Sequence, residues 1–169
     1  MDLIGTRRSI RRYNGKKVPK EEINEILKAA MQAPSARCQM PWEFLVVEDK
    51  KKLEKCANLL PNTSMLKEAS FSIVFMTDTR NLKTPGMYPQ DLASSVTCAL
   101  LKARELGIGS CWCGIYPNEE RMKVVREIFN INQDYLEPFA VVAFGYPNSD
   151  EEFKIVDRFN ADKVHYEEI

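Results

Sequence analysis

Apolar positions along this chain follow two different patterns, and together these patterns predict a series of alternating helices and strands. Behind Pro19 the apolar residues return every three or four positions, which predicts a helix over about residues 19–32 that ends before Pro34. The same spacing predicts helices over 50–60, 90–106 and 118–129, the third of them ended by Gly107. Short continuous apolar runs predict four buried strands, over 43–48, 70–77, 110–115 and 139–145.

The last part of the chain, residues 146–169 (the tail), has neither period. Its apolar side chains are scattered among polar ones: Phe153, Ile155, Val156, Phe159, Val164 and Tyr166. A long aperiodic segment that carries aromatic residues usually packs on another surface. We therefore expect one domain over residues 1–169 whose tail is an extended arm.

Composition narrows the class of protein. A chain of 169 residues with 44% hydrophobic and 28% charged residues is typical of one soluble globular domain. With 24 basic and 24 acidic residues it lacks the overall positive charge of a nucleic-acid-binding protein. The start of the chain has no signal-peptide pattern, and the apolar runs are too short to span a membrane, so a cytoplasmic location without nucleic-acid or membrane partners is expected.

The five cysteines are an odd number without regular spacing, which indicates reduced and mostly buried thiols; Cys56 is expected on a surface helix. Cys111 and Cys113 are two potential ligands, but a closed zinc site needs four, so no metal is expected. The chain lacks a dinucleotide-binding glycine motif, a P-loop and the G-x-S-x-G of hydrolases. Cys38 has no base paired with it in the sequence, which argues against a catalytic thiol.

Residues 3–20 (the head) carry seven cationic side chains and no acidic one, and they contain the run Arg7-Arg8-Ser9-Ile10-Arg11. Guanidinium groups and a serine hydroxyl can together bind the oxygens of a phosphate monoester. If the segment is helical, Arg7 and Arg11 lie one turn apart on one face. The alternative is a solvated basic arm that binds nucleic acid or nothing.

Four blocks of this sequence closely resemble the FMN-dependent nitroreductase family in its short, anaerobe-type form. They are Arg7-Arg8-Ser9-Ile10-Arg11, residues 33–42 (APSARCQMPW), residues 107–114 (GIGSCWCG), and Arg158-Phe159 ahead of Lys163-Val164-His165-Tyr166. The resemblance implies an α+β fold with an antiparallel-dominated central sheet flanked by helices. It also implies a homodimer with FMN at the subunit interface and a C-terminal arm exchanged between subunits.

Carried over by position, the resemblance implies a set of FMN-binding residues in this chain. Arg7, Arg8 and Ser9 would bind the phosphate and ribityl chain. Arg158, from the tail, would also bind the phosphate. Arg11 would face the pyrimidine edge, where a cation favours the reduced flavin. The other subunit would supply Pro34, Ser35, Ala36 and Cys38, and the strand end Cys113, Gly114 and Ile115 would lie near flavin N5. For this last block a plain buried strand followed by a turn is the alternative.

Two positions depart from the family's usual pattern, because Cys38 and Met40 stand where relatives commonly carry asparagine and glutamine. The predicted function is an oxidoreductase that transfers hydride from NADH or NADPH through FMN to a planar, electron-poor acceptor. No side chain is assigned as a catalytic acid or base, since the flavin carries the chemistry. The alternative is a non-catalytic FMN-binding or thiol redox-sensing protein.

Overall fold

The structure, a computed structural model, describes residues 2–168 and is built around a four-stranded antiparallel sheet. The strands are β1 Trp42–Val47, β2 Phe71–Asp78, β3 Gly109–Gly114 and β4 Leu136–Gly145. Their order is β1-β2-β4-β3, and every neighbouring pair is antiparallel. The expected α+β fold with an antiparallel sheet is therefore confirmed, and β3 lies at an edge where other groups can approach it.

Five helices flank the sheet: α1 Leu3–Thr6, α2 Lys20–Met31, α3 Lys50–Leu59, α4 Tyr88–Glu105 and α5 Glu119–Phe129. The last four confirm the predicted helices, whereas the short α1 was not predicted. Gly107 follows α4 with a φ of +72°, a left-handed conformation that glycine adopts without strain and that ends the helix as expected.

The sheet separates two apolar layers. One face packs against α2 and α4, and the other packs against α3 and α5. All five cysteines are free, and three of them, Cys56, Cys111 and Cys113, are buried, as expected for most of the thiols. Cys56 lies on α3, a helix whose outer face is exposed, as expected, but Cys56 itself lies with Leu53 on the inward face and has no exposed surface.

The head is extended rather than helical beyond α1. Arg7 already has an extended backbone, Ser9 pairs in parallel with Ser110 of β3, and Tyr13 pairs with Pro147. Arg7 and Arg11 are therefore not placed one helical turn apart. The reason is that pairing with the free edge of β3 satisfies backbone groups such as the Ile10 N–H, which donates to the Ser110 carbonyl at 2.9 Å.

The tail leaves the body of the chain after one anchor. Phe153 is buried, and the Arg104 guanidinium lies over its ring at 4.0 Å from the centroid. Beyond it Ile155, Phe159 and Tyr166 are 69%, 78% and 83% exposed. Large exposed apolar side chains of this kind are typical of surfaces that contact another molecule.

Within residues 2–168, no helix is long and apolar enough to cross a membrane. Among the described residues the tail and the head form no ion pair with each other, and they contact each other through hydrogen bonds and a cation–π pair. The Asn14 side chain donates to the Pro147 carbonyl at 3.2 Å, and the Lys16 ammonium lies 4.8 Å from the centre of the Tyr146 ring.

Candidate functional site

The head is held on the sheet by a buried tyrosine. The Tyr13 hydroxyl donates to the Ile10 carbonyl at 2.8 Å, and both side chains are buried. Burial is the main cause that raises the pKa of Tyr13 well above its usual range, so the hydroxyl stays protonated and keeps donating. Ile10 and Tyr13 thus fix the backbone on which Arg7, Arg8, Ser9 and Arg11 are carried.

Arg8 carries an unsatisfied polar group. Its terminal nitrogens donate to the carbonyls of Arg7 and Gly5, the second at 2.7 Å, but its buried Nε has no hydrogen-bond partner among residues 2–168. A buried guanidinium nitrogen without an acceptor is costly unless a ligand supplies one. The nearby Arg7 guanidinium and Ser9 hydroxyl also form no hydrogen bond with any described residue. These groups therefore fit a phosphate.

At the end of β3 the accessible groups are backbone atoms rather than side chains. Cys113 and Ile115 are 7% and 1% exposed, and their side chains face the interior. Gly114 between them is exposed, and a Cβ added there would meet no atom within 4 Å. The strand end is therefore open next to Gly114, and a flat ring could approach the backbone there closely.

A cavity of about 490 Å³ lies between the head and the 3₁₀ turn Ser64–Lys67. It is lined by Arg11, Arg12, Ser64, Met65, Lys67 and Glu68. Two of these lining residues, Arg12 and Glu68, form an ion pair at 2.9 Å. Sequence reasoning placed Arg11 in the site but missed the turn, which has no distinguishing composition; only the fold brings it opposite the head.

The loop after α2 forms the second part of the predicted site. Pro34 and Cys38 are exposed, whereas Ser35 and Ala36 are half-buried. Three non-glycine residues of this loop, Arg37, Cys38 and Met40, have positive φ angles of 51°, 50° and 44°. Left-handed conformations cost free energy in such residues and persist only where the surrounding structure enforces them.

Asp91 in the first turn of α4 enforces that loop conformation. It is buried at 4% exposure and accepts hydrogen bonds from the Ala36 backbone N–H at 2.7 Å and the Gln39 side-chain amide at 2.5 Å. The oxygen of the Gln39 amide accepts in turn from the Thr84 backbone N–H at 3.0 Å. Sequence reasoning missed Asp91, because an acid in the first turn of a helix is ordinary there.

The head and the loop lie at opposite ends of α4 in one chain. Arg104, near the C-terminal end, donates to the Thr6 hydroxyl at 3.0 Å, whereas Asp91 near the N-terminal end holds the loop. A helical rise of about 1.5 Å per residue separates these two points by about 20 Å. A single chain therefore does not bring the two parts of the predicted site together.

Arg158 lies in the exposed tail, and no hydrogen bond or ion pair joins it to the head within residues 2–168. Among residues 2–168, no three His, Cys, Asp or Glu side chains converge as the ligands of a metal ion would. The predicted residues therefore form three groups: the head with the end of β3, the loop on α4, and Arg158.

The known proteins that this chain resembles identify its family. The sequence model of the nitroreductase family matches residues 4–84 and 60–146. A protein of Archaeoglobus fulgidus, whose name marks it as a candidate NADH dehydrogenase/NAD(P)H nitroreductase, is 44% identical over 169 residues, which are 99% of this chain and 97% of the relative.

Two solved structures extend the likeness to the fold. A candidate NADH oxidase from Clostridium acetobutylicum superposes with a TM-score of 0.95 at 45% identity, over 99% of this chain and 100% of the other. An FMN-dependent nitroreductase from Clostridium difficile R20291 gives a TM-score of 0.88 at 30% identity, over 99% and 98% of the two chains. The chain therefore belongs to the nitroreductase family, and its predicted class, an oxidoreductase enzyme, is confirmed.

Proposed function

We propose that this protein binds FMN and transfers hydride from NADH or NADPH to a planar, electron-poor acceptor such as a nitroaromatic, a quinone or a flavin. The observation that carries the proposal is the buried Arg8 Nε without an acceptor, next to Arg7 and Ser9. Bound FMN would supply the electron chemistry, since its N5 accepts and returns hydride. The similarity to an FMN-dependent nitroreductase supports this choice of cofactor.

The head would bind and orient the cofactor. Arg7, Arg8 and Ser9 would hold the phosphate through charge-assisted hydrogen bonds. Arg11, which lines the neighbouring cavity, would place a positive charge beside the pyrimidine edge, where negative charge develops on reduction. Gly114 would leave room for the ring against the end of β3.

Two subunits would complete each site. Because Pro34, Ser35, Ala36 and Cys38 lie about 20 Å along α4 from the head contacts, they would reach the flavin of a second copy rather than their own. The exposed apolar residues of the tail would pack on that copy and bring Arg158 to its phosphate. The protein would therefore be a homodimer with an exchanged arm.

Reductant and acceptor would bind in turn at the open face beside Gly114, in a ping-pong sequence. Stacking selects flat molecules rather than particular functional groups. Cys38 and Met40 are both exposed in this chain and would make the rim less polar than the amides of relatives.

Steady-state turnover separates an enzyme from a non-catalytic FMN-binding protein or a thiol sensor. The FMN-loaded protein should oxidise NADH or NADPH continuously when a quinone is supplied, with parallel double-reciprocal lines as the quinone concentration varies. A protein that is reduced once and passes no electrons to quinones, nitroaromatics or free flavin would contradict the proposed activity.

A further inference from the structure

We propose that Cys111, Cys113 and Met65 form a binding site for a soft monovalent cation, Cu(I). The two cysteines occupy alternate positions of β3, so both side chains lie on the same face of the sheet. All three residues are buried, at 2%, 7% and 3% exposure. The Cys113 sulfur lies 3.8 Å from the Met65 sulfur. Thiolate and thioether donors are those that select Cu(I).

The sulfur spacing fits a shared ion better than a disulfide. Alternate residues of a strand have Cα atoms about 6.7 Å apart. This is near the upper limit of about 6.8 Å for a disulfide, and parallel Cβ directions keep the sulfurs apart. An ion with three sulfur ligands at about 2.3 Å requires sulfur separations of about 4 Å. The 3.8 Å between Cys113 and Met65 matches that requirement.

The positive charge of Arg11 lies close enough to Cys111 and Cys113 to interact with both. Binding would release both thiol protons and leave one net negative charge, which Arg11 would offset.

The same geometry disfavours zinc. A closed Zn²⁺ site needs four ligands, and this group supplies three sulfurs. An ion that is satisfied by two or three sulfur ligands is not subject to that objection.

Met65 connects the sulfurs to solvent. It lines the 490 Å³ cavity and also contacts Cys113. The cationic side chains of Arg11, Arg12 and Lys67 around this cavity would repel a free cation. They would attract an anionic copper complex, from which the thiols could take Cu(I) by ligand exchange.

Competition for Cu(I) tests the site on the purified protein under anaerobic conditions. The colour of the Cu(I)–bicinchoninate complex should fade as the protein is added, with an end point at a single Cu(I) per chain. Cys111→Ala and Cys113→Ala should each abolish this end point. Met65→Leu should weaken the competition by on the order of tenfold to a hundredfold. Cys98→Ser, which removes a half-buried thiol on α4, should leave it unchanged.

X-ray absorption of the copper-loaded wild-type protein serves as a second measurement, in case an alanine variant does not fold. A first shell of sulfur only, with three ligands, supports the site. Nitrogen or oxygen ligands, unchanged competition by folded Cys111→Ala and Cys113→Ala, or a loss of the end point in Cys98→Ser would each overturn it. Each of these results is read from copper, not from FMN binding or turnover.

Discussion

Gly109 and Gly145 face each other across β3 and β4, and the head crosses the sheet at this pair. A Cβ at Gly109 would lie 2.9 Å from two Ile10 side-chain atoms, and a Cβ at Gly145 would lie 2.9 Å from two Tyr13 ring atoms. The two glycines therefore let the head pack directly onto the sheet. Since the head carries Arg7, Arg8, Ser9 and Arg11, the glycine pair also determines where those residues lie.

Gly109→Ala should move the head and weaken FMN binding. The added methyl overpacks a fixed backbone approach, which typically costs about 1–3 kcal/mol in the free energy of unfolding. Urea unfolding and FMN titration should both report the change. Gly86→Ala is the matched control, because a Cβ there meets nothing within 4 Å; an equal effect of both substitutions would contradict the role of the close contact.

Asp91→Asn should release the loop that contains Ser35, Ala36 and Cys38. The amide would lose the charge-assisted hydrogen bonds from the Ala36 N–H and Gln39, at about 1.5–3 kcal/mol for a bond to a charged group. We expect a lower melting temperature and weaker FMN binding, whereas the conformation of the head should not change. Asp134→Asn, at an exposed position, is the control. If Asp91→Asn lowers FMN affinity no more than this control does, the loop does not contribute to FMN binding.

The phosphate site can be tested with two ligands that differ only in the phosphate. Ser9→Ala or Arg158→Ala should weaken FMN by on the order of tenfold to a hundredfold and riboflavin far less, since each removes a charge-assisted bond to the phosphate. Lys154→Ala, which removes another exposed tail cation, should change neither affinity. Equal losses for FMN and riboflavin would place Ser9 and Arg158 away from the phosphate.

Removal of residues 154–169 should convert a dimer into an FMN-free, aggregation-prone chain. The truncation keeps Phe153 on Arg104 but removes Ile155, Phe159, Tyr166 and Arg158. Light scattering measures the mass, and the flavin absorbance measures bound cofactor. Leu59→Ser, at another exposed apolar position, should leave the assembly unchanged. A truncated protein that stays dimeric and yellow would show that the tail holds neither the partner nor the cofactor.

The sequence predicted the regular elements well because buried faces impose a period. The helix behind Pro19 and the apolar run that forms β2 follow such a period, and both formed close to the predicted bounds. Beyond α1 the head is not helical as one interpretation had it, because it pairs with the edge of β3. That edge is distant in the sequence, so the spacing of residues within the head does not predict the pairing. The inward orientation of Cys56 was not predicted for a related reason, since the buried face of α3 depends on how that helix packs.

The site was predictable only where the family pattern supplied positions. Arg8 and Ser9 were assigned from the pattern, and the structure adds the unpartnered Arg8 Nε beside them. Asp91 and the turn that contains Met65 carry no signal in one sequence, since their roles arise from contacts between residues that are 55 and 48 positions apart. Arg158 remains a prediction that needs the second subunit.

The absorption spectrum of the purified protein tests the central claim most directly. The protein should be yellow from non-covalently bound FMN, or become so when FMN is added, and anaerobic NADH or NADPH should bleach it. Heat or acid should release FMN that matches the authentic compound. A colourless protein that takes up no added FMN would contradict the proposed function.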